Sequence, residues 1–581
     1  MNDSLRMHEE TESPKVRIPF VMALANKILA TLKFVDFINR SIDYDEKQWK
    51  VSPGNLAKAV VLATFFDVRA PLSRISKFYE TYDTEYLFGK GVKPEHLNDD
   101  AIGRMLDRLS DAKPNKLYGA LCLSAYTIYK IFFKRLHTDT TSVSLFGDYE
   151  TEEEERIIDG AVDKLGVKDG QARSQPHIKK GYNKDHRRDC KQLLYGKVVS
   201  EHGVPISGFA MDGNTSDSIW NRELIKHLKS NYQQMISEGI YIADSKMTNQ
   251  EMIKELTDPE NPISFISRCP SNFYEKIEDK TKERAYEKDD WTDVGKFGKG
   301  KKACEYSACE FSTRILGRQL RLIVVKSSEG HKRFAVKRDK LRDELAADIA
   351  KVEKKTFECK KDSEKEWQRF LKEHKDAVYE CSVEHEETRI VKRRRGRPAK
   401  NAKPLSVKHI WKMNIKIGKK NDENMKRLQR KEESFVLITN VGVDKHDMRD
   451  IISFYKDQTV VETQFRFFKE PCLASVIYLK TPGRINALIM LLGVSLLLRG
   501  LMQYKMRKGY AKAVRDNVTL PKVGWNGAKL QPSLTAKFLF YALKNAYFIR
   551  QDVDYYTYCL PDRQRVLTLL YLMDLEITDL L

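Results

Sequence analysis

No CxxC pair occurs among the nine cysteines of this 581-residue chain (Cys122, Cys190, Cys269, Cys304, Cys309, Cys359, Cys381, Cys472 and Cys559). Cys304 and Cys309 have no second ligand pair at zinc-finger spacing, which argues against structural zinc and for reduced thiols in the cytosol. The opening stretch, MNDSLRMHEETESPK, lacks the apolar segment of a signal peptide. Long apolar runs are scarce. The single candidate, 485–502 (INALIMLLGVSLLLRGLM), approaches the length of a membrane span, but Asn486, Arg499 and two glycines interrupt it. A helix buried on all sides is expected there, and no membrane span. Acid is in deficit: 82 Asp and Glu against 103 Lys and Arg leave a formal charge of +21 and a pI near 9.3. That imbalance favours a polyanionic partner. Nucleic acid ranks above an anionic membrane surface, because the basic residues are spread along the chain rather than gathered on one amphipathic tail.

What is present describes a globular protein, 41% hydrophobic and 32% charged, and its length predicts two to four domains. Apolar residues recur at helical spacing through 16–135, with Asn98 placed to cap a helix over 98–109. These helices suit a domain that binds DNA ends and an ordinary helical scaffold alike. From 136 the period changes. Strands are expected over 136–146, 191–199 and 205–211, a helix over 217–236, a strand ending at Asp244, and another over 263–268. Three meandering strands followed by helical crossovers are the order of a ribonuclease-H-like core, so the fold class is α/β.

The expected organisation is a helical domain over 1–135 and a first core part over 136–269. An insertion over 270–432 follows, then a second core part over 433–510 and a helical region over 511–581. Within the insertion, strands are expected over 303–312 and 319–326, and a long charged helical stretch, broken in two, over 336–375. Residues 392–400, KRRRGRPAK, place Arg393, Arg394, Arg395 and Arg397 around a glycine. Such a segment fits a narrow A·T-rich minor groove, and equally a solvated basic loop.

Asp139 sits mid-strand in His-Thr-Asp-Thr-Thr, where an acid is costly unless it is paired or binds a metal. Asp244 ends a strand, where ligands gather in open α/β sheets. In the expected core these two strands are neighbours. After a strand at 434–441, a helix over 448–469 carries Tyr455, Gln458, Glu462 and Lys469. Offsets of three, seven and fourteen set the four on one stripe, beside an apolar face of Val461, Phe465 and Phe468. His137 and His186 have no second histidine at ligand spacing and are expected to be structural or DNA-facing, and Lys191 and Gln192 are weaker candidates for support near the site.

These residues resemble the DDE transposases of bacterial insertion sequences, family four in the wide sense, and within it the sixteen-thirty-four branch. The likeness lies in Asp139, Asp244 and the Tyr-x2-Gln-x3-Glu-x6-Lys helix, with GYNKDHRRDCKQ (181–192), GNTSD (213–217), YIADS (241–245) and FRFFKEP (465–471). The branch has Arg where Gln458 stands, so an amide replaces a charged phosphate contact. It also inserts a large segment before the glutamate helix, which the 218-residue separation of Asp244 and Glu462 (462 − 244) accommodates. The resemblance implies a catalytic and metal-binding triad of Asp139, Asp244 and Glu462 holding two Mg²⁺, with Mn²⁺ able to substitute. It implies Tyr455, Gln458 and Lys469 at the DNA backbone, and double-stranded DNA partners in the form of terminal inverted repeats and target. It further implies a homodimer in a synaptic complex and a prokaryotic, nucleoid-associated place in the cytoplasm. Two other readings remain open: a non-catalytic protein that binds terminal repeats, and a ribonuclease-H-like nuclease of another substrate.

Overall fold

Three threonines and a valine stand within 136–145, and these β-formers give the strand β1 (Arg135–Leu145). The computed structural model describes residues 16–63, 71–145, 149, 175–187, 189–236, 238–298, 303–392, 406–458, 479–552 and 555–581. The fold is mixed α/β and divides into two compact units, one of 1–247, 260–264 and 457–581, the other of 248–259 and 265–456.

In the first unit β1 is followed by β2 (Lys191–Ser200), β3 (Pro205–Met211) and β4 (Ile240–Ala243). They lie in the order β3-β2-β1-β4. β1 with β2 and β2 with β3 are antiparallel, whereas β1 with β4 is parallel. The parallel pair needs a crossover, and helix Asp217–Ile236 supplies it, with Trp220, Leu224, Ile225 and Leu228 buried. Helices dominate the described part of 16–135. Asn98 caps Asp99–Asp111 by accepting the Ala101 N–H at 2.9 Å.

Helix Pro482–Arg515 is, among the described residues, the one long and apolar enough to cross a membrane, yet its most apolar 18-residue window is entirely buried within the protein. Its glycines serve close packing. A Cβ on Gly500 would lie 2.7 Å from the carbonyl oxygen of Gly203. Arg499 is accommodated by setting its guanidinium 4.6 Å from the centre of the Phe540 ring. The region 511–581, expected to be helical, also holds two strands, Tyr547–Asp552 and Tyr555–Cys559. With Arg17–Pro19 they form a three-stranded antiparallel sheet. Aromatic residues crowd both strands and favour extended pairing over helix.

The second unit contains β5 (Ser264–Arg268) from Phe265 on, β6 (Thr292–Phe297), β7 (Cys304–Ile315), β8 (Arg318–Ser327), β9 (Tyr379–Lys392), β10 (Ser406–Lys420) and β11 (Ser434–Thr439). Five lie in the order β5-β11-β8-β7-β6, and β9 and β10 form a separate antiparallel pair. The expected long helix is two, Ser328–Glu353 and Lys360–Glu373, and they bury Leu345, Ile349, Trp367 and Phe370 against Met413 and Ile415 of β10. The helix expected over 448–469 ends at Lys456, with Asp457 and Gln458 in a turn, and 459–478 lie outside the described residues.

Candidate active site

The register of β1 and β4 pairs Arg135 with Ile240, Leu136 with Tyr241 and His137 with Ile242. Carried two residues further, the same offset sets Asp139 level with Asp244 at the mouth of the parallel pair. Asp139 is half-buried and accepts the Thr140 N–H at 2.7 Å. Asp244 follows β4 directly and accepts the Lys246 N–H at 3.0 Å. Both carboxyls are pushed above the usual range, first by burial. Asp244 is raised further by the negative charges of Asp139 and Asp217. The Asp139 charge is thus felt at Asp244.

Two residues that the sequence reading missed complete this cluster. Lys184 donates to the Thr140 carbonyl at 2.9 Å and to Thr140 Oγ1 at 2.6 Å. Its ammonium stands 3.6 Å from Asp139 Oδ1 and 3.4 Å from Asp217 Oδ2. Asp217, the first residue of its helix, accepts a hydrogen bond from the Thr140 hydroxyl. The signal was available: Lys184 and Asp217 lie in GYNKDHRRDCKQ and GNTSD, two of the segments that carried the family resemblance. Gln192 explains how they meet. Its buried amide donates to the Gly213 carbonyl at 2.7 Å and to the Tyr182 carbonyl at 3.2 Å, fastening the two loops that deliver Asp217 and Lys184. Lys191 instead turns to the Tyr149 carbonyl at 3.0 Å.

Gln458 comes within one residue of Asp139, its amide facing the Thr138 carbonyl at 3.4 Å, and the adjacent Asp457 lies 3.6 Å from Arg135. Tyr455 belongs to the second unit, at the end of helix Met448–Lys456. Glu462, Lys469, Arg393, Arg394, Arg395 and Arg397 lie outside the described residues. Among the described residues, no group of three or more His, Cys, Asp and Glu side chains gathers as a metal site. The oxygen donors of Asp139 and Asp244 nevertheless fit a hard divalent cation, whose charge would offset theirs.

Removing Lys184 tests that electrostatic balance. Its ammonium offsets the carboxylates and competes with any cation that they would bind. Lys184→Met is expected to tighten Mn²⁺ binding about tenfold, roughly 1.4 kcal/mol, and to lower the melting temperature of the metal-free protein. Calorimetric titration with Mn²⁺ checks the first effect and thermal melts the second. Unchanged Mn²⁺ affinity would show that Lys184 does not compete with a cation there.

His137 turns inward. It is fully buried, and among the described residues neither ring nitrogen has a hydrogen-bond partner. Burial, helped by the charge of Arg135, pulls its pKa down to about 4. The unfolded chain takes up the proton near pH 6.5 and the folded protein does not, so this contribution to stability is complete above pH 6.5 and is lost as pH falls toward 4. The loss amounts to about 3 kcal/mol. Melts at pH 7 and pH 5 should show a drop that His137→Leu largely removes.

Residues 20–123 match a family model described as a domain of unknown function, DUF4277. No curated protein matches the chain. Among solved structures the chain is similar to a piggyBac transposase, seen by cryo-EM in a synaptic complex with hairpin DNA. That match has a TM-score of 0.36 and 8% sequence identity and covers 90% of this chain and 79% of that one, a likeness too loose to fix a function.

Proposed function

We propose that the protein is a DNA transposase whose Asp139, Asp244 and Glu462 form the carboxylate triad of a ribonuclease-H-like core, as in the insertion-sequence enzymes that its motifs resemble. The register of the parallel strands β1 and β4 carries the reading, because it brings Asp139 level with Asp244 from positions 105 residues apart (244 − 139). The order β3-β2-β1-β4, antiparallel up to β1 and parallel beyond it, agrees with the first four strands of such a core. The charge of +21 suits a DNA partner.

The triad would hold two Mg²⁺, or Mn²⁺ in their place. The chemistry these ions supply when bound is a more acidic attacking water or DNA 3′-OH and charge neutralisation at the leaving oxygen. The chain's own groups do the rest. Asp139 and Asp244 fix the place of the scissile phosphate from rigid strands, Asp217 and Thr140 hold Lys184 beside it, and Gln458 keeps the approach to the glutamate helix against β1. Tyr455 and Lys469 would contact the DNA backbone, and Arg393, Arg394, Arg395 and Arg397 would add charge to the grip on DNA. Two copies would join two element ends in the synaptic complex, and target DNA would receive the 3′-OH, in the cytoplasm of a prokaryotic cell.

Incubating the purified protein with labelled duplexes that carry the ends of its own element, in Mg²⁺ and in EDTA, tests this. Metal-dependent cleavage at the ends, followed by joining to a target duplex, is the expected result. Specific end binding without cleavage, in Mg²⁺ or Mn²⁺, would make it a terminal-repeat-binding protein instead. Cleavage without end preference would make it a nuclease of another substrate.

A further inference from the structure

The second unit contains a cavity of about 780 Å³ whose lining includes five cations, Arg268, Lys332, Arg333, Lys431 and Lys456, against two acids, Glu329 and Glu432. The acids do little to neutralise it. Glu329 stands 4.0 Å from Lys332, and Glu432 receives Arg333 on its backbone carbonyl at 3.2 Å rather than on its carboxylate. Arg268 and Lys456 rest on aromatic rings instead of carboxylates, 5.6 Å and 5.3 Å from the centre of Phe435. Lys456 also lies 4.8 Å from the centre of Tyr306. Burial, with the charges of Arg333 and Arg268 close by, holds the Lys456 ammonium below its usual pKa. Lys456 thus meets two like charges in a partly desolvated space, against an opposite pull from Cys304. The 26-residue helix Ser328–Glu353 also begins in the cavity wall, and its N-terminal end favours anions.

We propose that this cavity of the second unit is a nucleic-acid site, which seats backbone phosphates of a DNA strand. The DNA identity of the ligand rests on the transposase reading, whereas the preference for phosphate rests on the cavity itself. A strand suits it better than a single small anion. The cations come from several chain segments, and the volume far exceeds that of one phosphate. Cations held over rings keep their charge directed into the space without losing it to an ion pair, so an arriving phosphate meets preorganised partners. Tyr455 and Lys456 share the wall, which places the end of helix Met448–Lys456 within reach of the bound strand.

Cys304 provides a probe that does not depend on cleavage. It lines the cavity, its Sγ lies 3.3 Å from Ser328 Oγ, and contacts at the helix start lower its thiol pKa. Its alkylation by N-ethylmaleimide is followed by peptide mass spectrometry on the full chain, with the exposed Cys359 as internal control. Duplex oligonucleotide is expected to slow the reaction at Cys304 about tenfold and leave Cys359 unchanged. In Arg268→Ala/Lys456→Ala the oligonucleotide concentration giving half protection should rise about tenfold. Equal protection by thymidine monophosphate would keep the phosphate site and assign it to a free nucleotide. Binding of DNA without protection of Cys304 would overturn this inference and leave the transposase reading intact. Protection together with no cleavage under any metal would leave the cavity standing and sink the transposase reading.

Discussion

Asp139→Asn is expected to abolish metal-dependent DNA cleavage while raising the melting temperature of the metal-free protein. The two effects share one cause. The folded protein holds the Asp139 carboxyl above its usual pKa, mainly through burial and partly through Asp217. A carboxyl raised in the folded state is ionised at neutral pH at a cost to stability. Asparagine keeps the shape and can still accept the Thr140 N–H, but it removes the buried charge and the repulsion that Asp244 feels from it. Loss of the Asp139 contact with Lys184, 3.6 Å away and already shared with Asp217, offsets only part of this gain. Cleavage should fall at least about a thousandfold, beyond the roughly 10²–10³ lost with a single neutral transition-state donor, because a charged ligand disappears. End binding should persist. A gel assay of cleavage and binding, with thermal melts in EDTA, gives all three readings. A structural aspartate would behave in the opposite way, with a lower melting temperature and cleavage retained.

Asp139 and Asp244 could be singled out in the sequence because each breaks a local rule. One is an acid inside a run of β-formers, and the other stands directly after four buried residues of a strand. The crossover helix was legible because Trp220, Leu224 and Leu228 keep its period. Lys184 and Asp217 do not stand out from local pattern, since each lies in a polar loop or helix start where a charge is ordinary; only their place in segments that carried the family resemblance marked them. Only the pairing of β1 with β2 and the Gln192 fastening bring them to Thr140. The pair β9 and β10 was missed for a related reason. β9 alternates half-buried with exposed positions at first and then turns fully exposed, so the apolar half of a strand pattern is faint. The cation-lined cavity is invisible along the chain, because its lining comes from segments between 268 and 456. The C-terminal strands were lost to expected helix because their aromatics show no clean alternation.

Gly196→Ala should destabilise the first unit by about 3 kcal/mol, the upper part of the usual overpacking range, and should weaken the site through the same displacement. Gly196 pairs with Thr140 on one side and Phe209 on the other. The fully buried Trp220 lies over it, stacked on Phe209 at 5.3 Å. A Cβ at 196 would fall 2.1 Å from Trp220 Cε2 and 2.2 Å from Cζ2, so the indole has to move. Trp220 sits one turn after Asp217 on the crossover helix, and Asp217 binds the Thr140 hydroxyl opposite Gly196. Shifting the ring therefore draws Asp217, and with it Lys184, away from Asp139. Trp220→Ala alone should cost about 3–5 kcal/mol by leaving a cavity. In the double variant the added methyl enters the space that the indole leaves, so the combined loss should fall short of the sum by about 1 kcal/mol or more. Urea melts of the four proteins measure that coupling. Strict additivity would mean that the ring over Gly196 does not set the position of the helix.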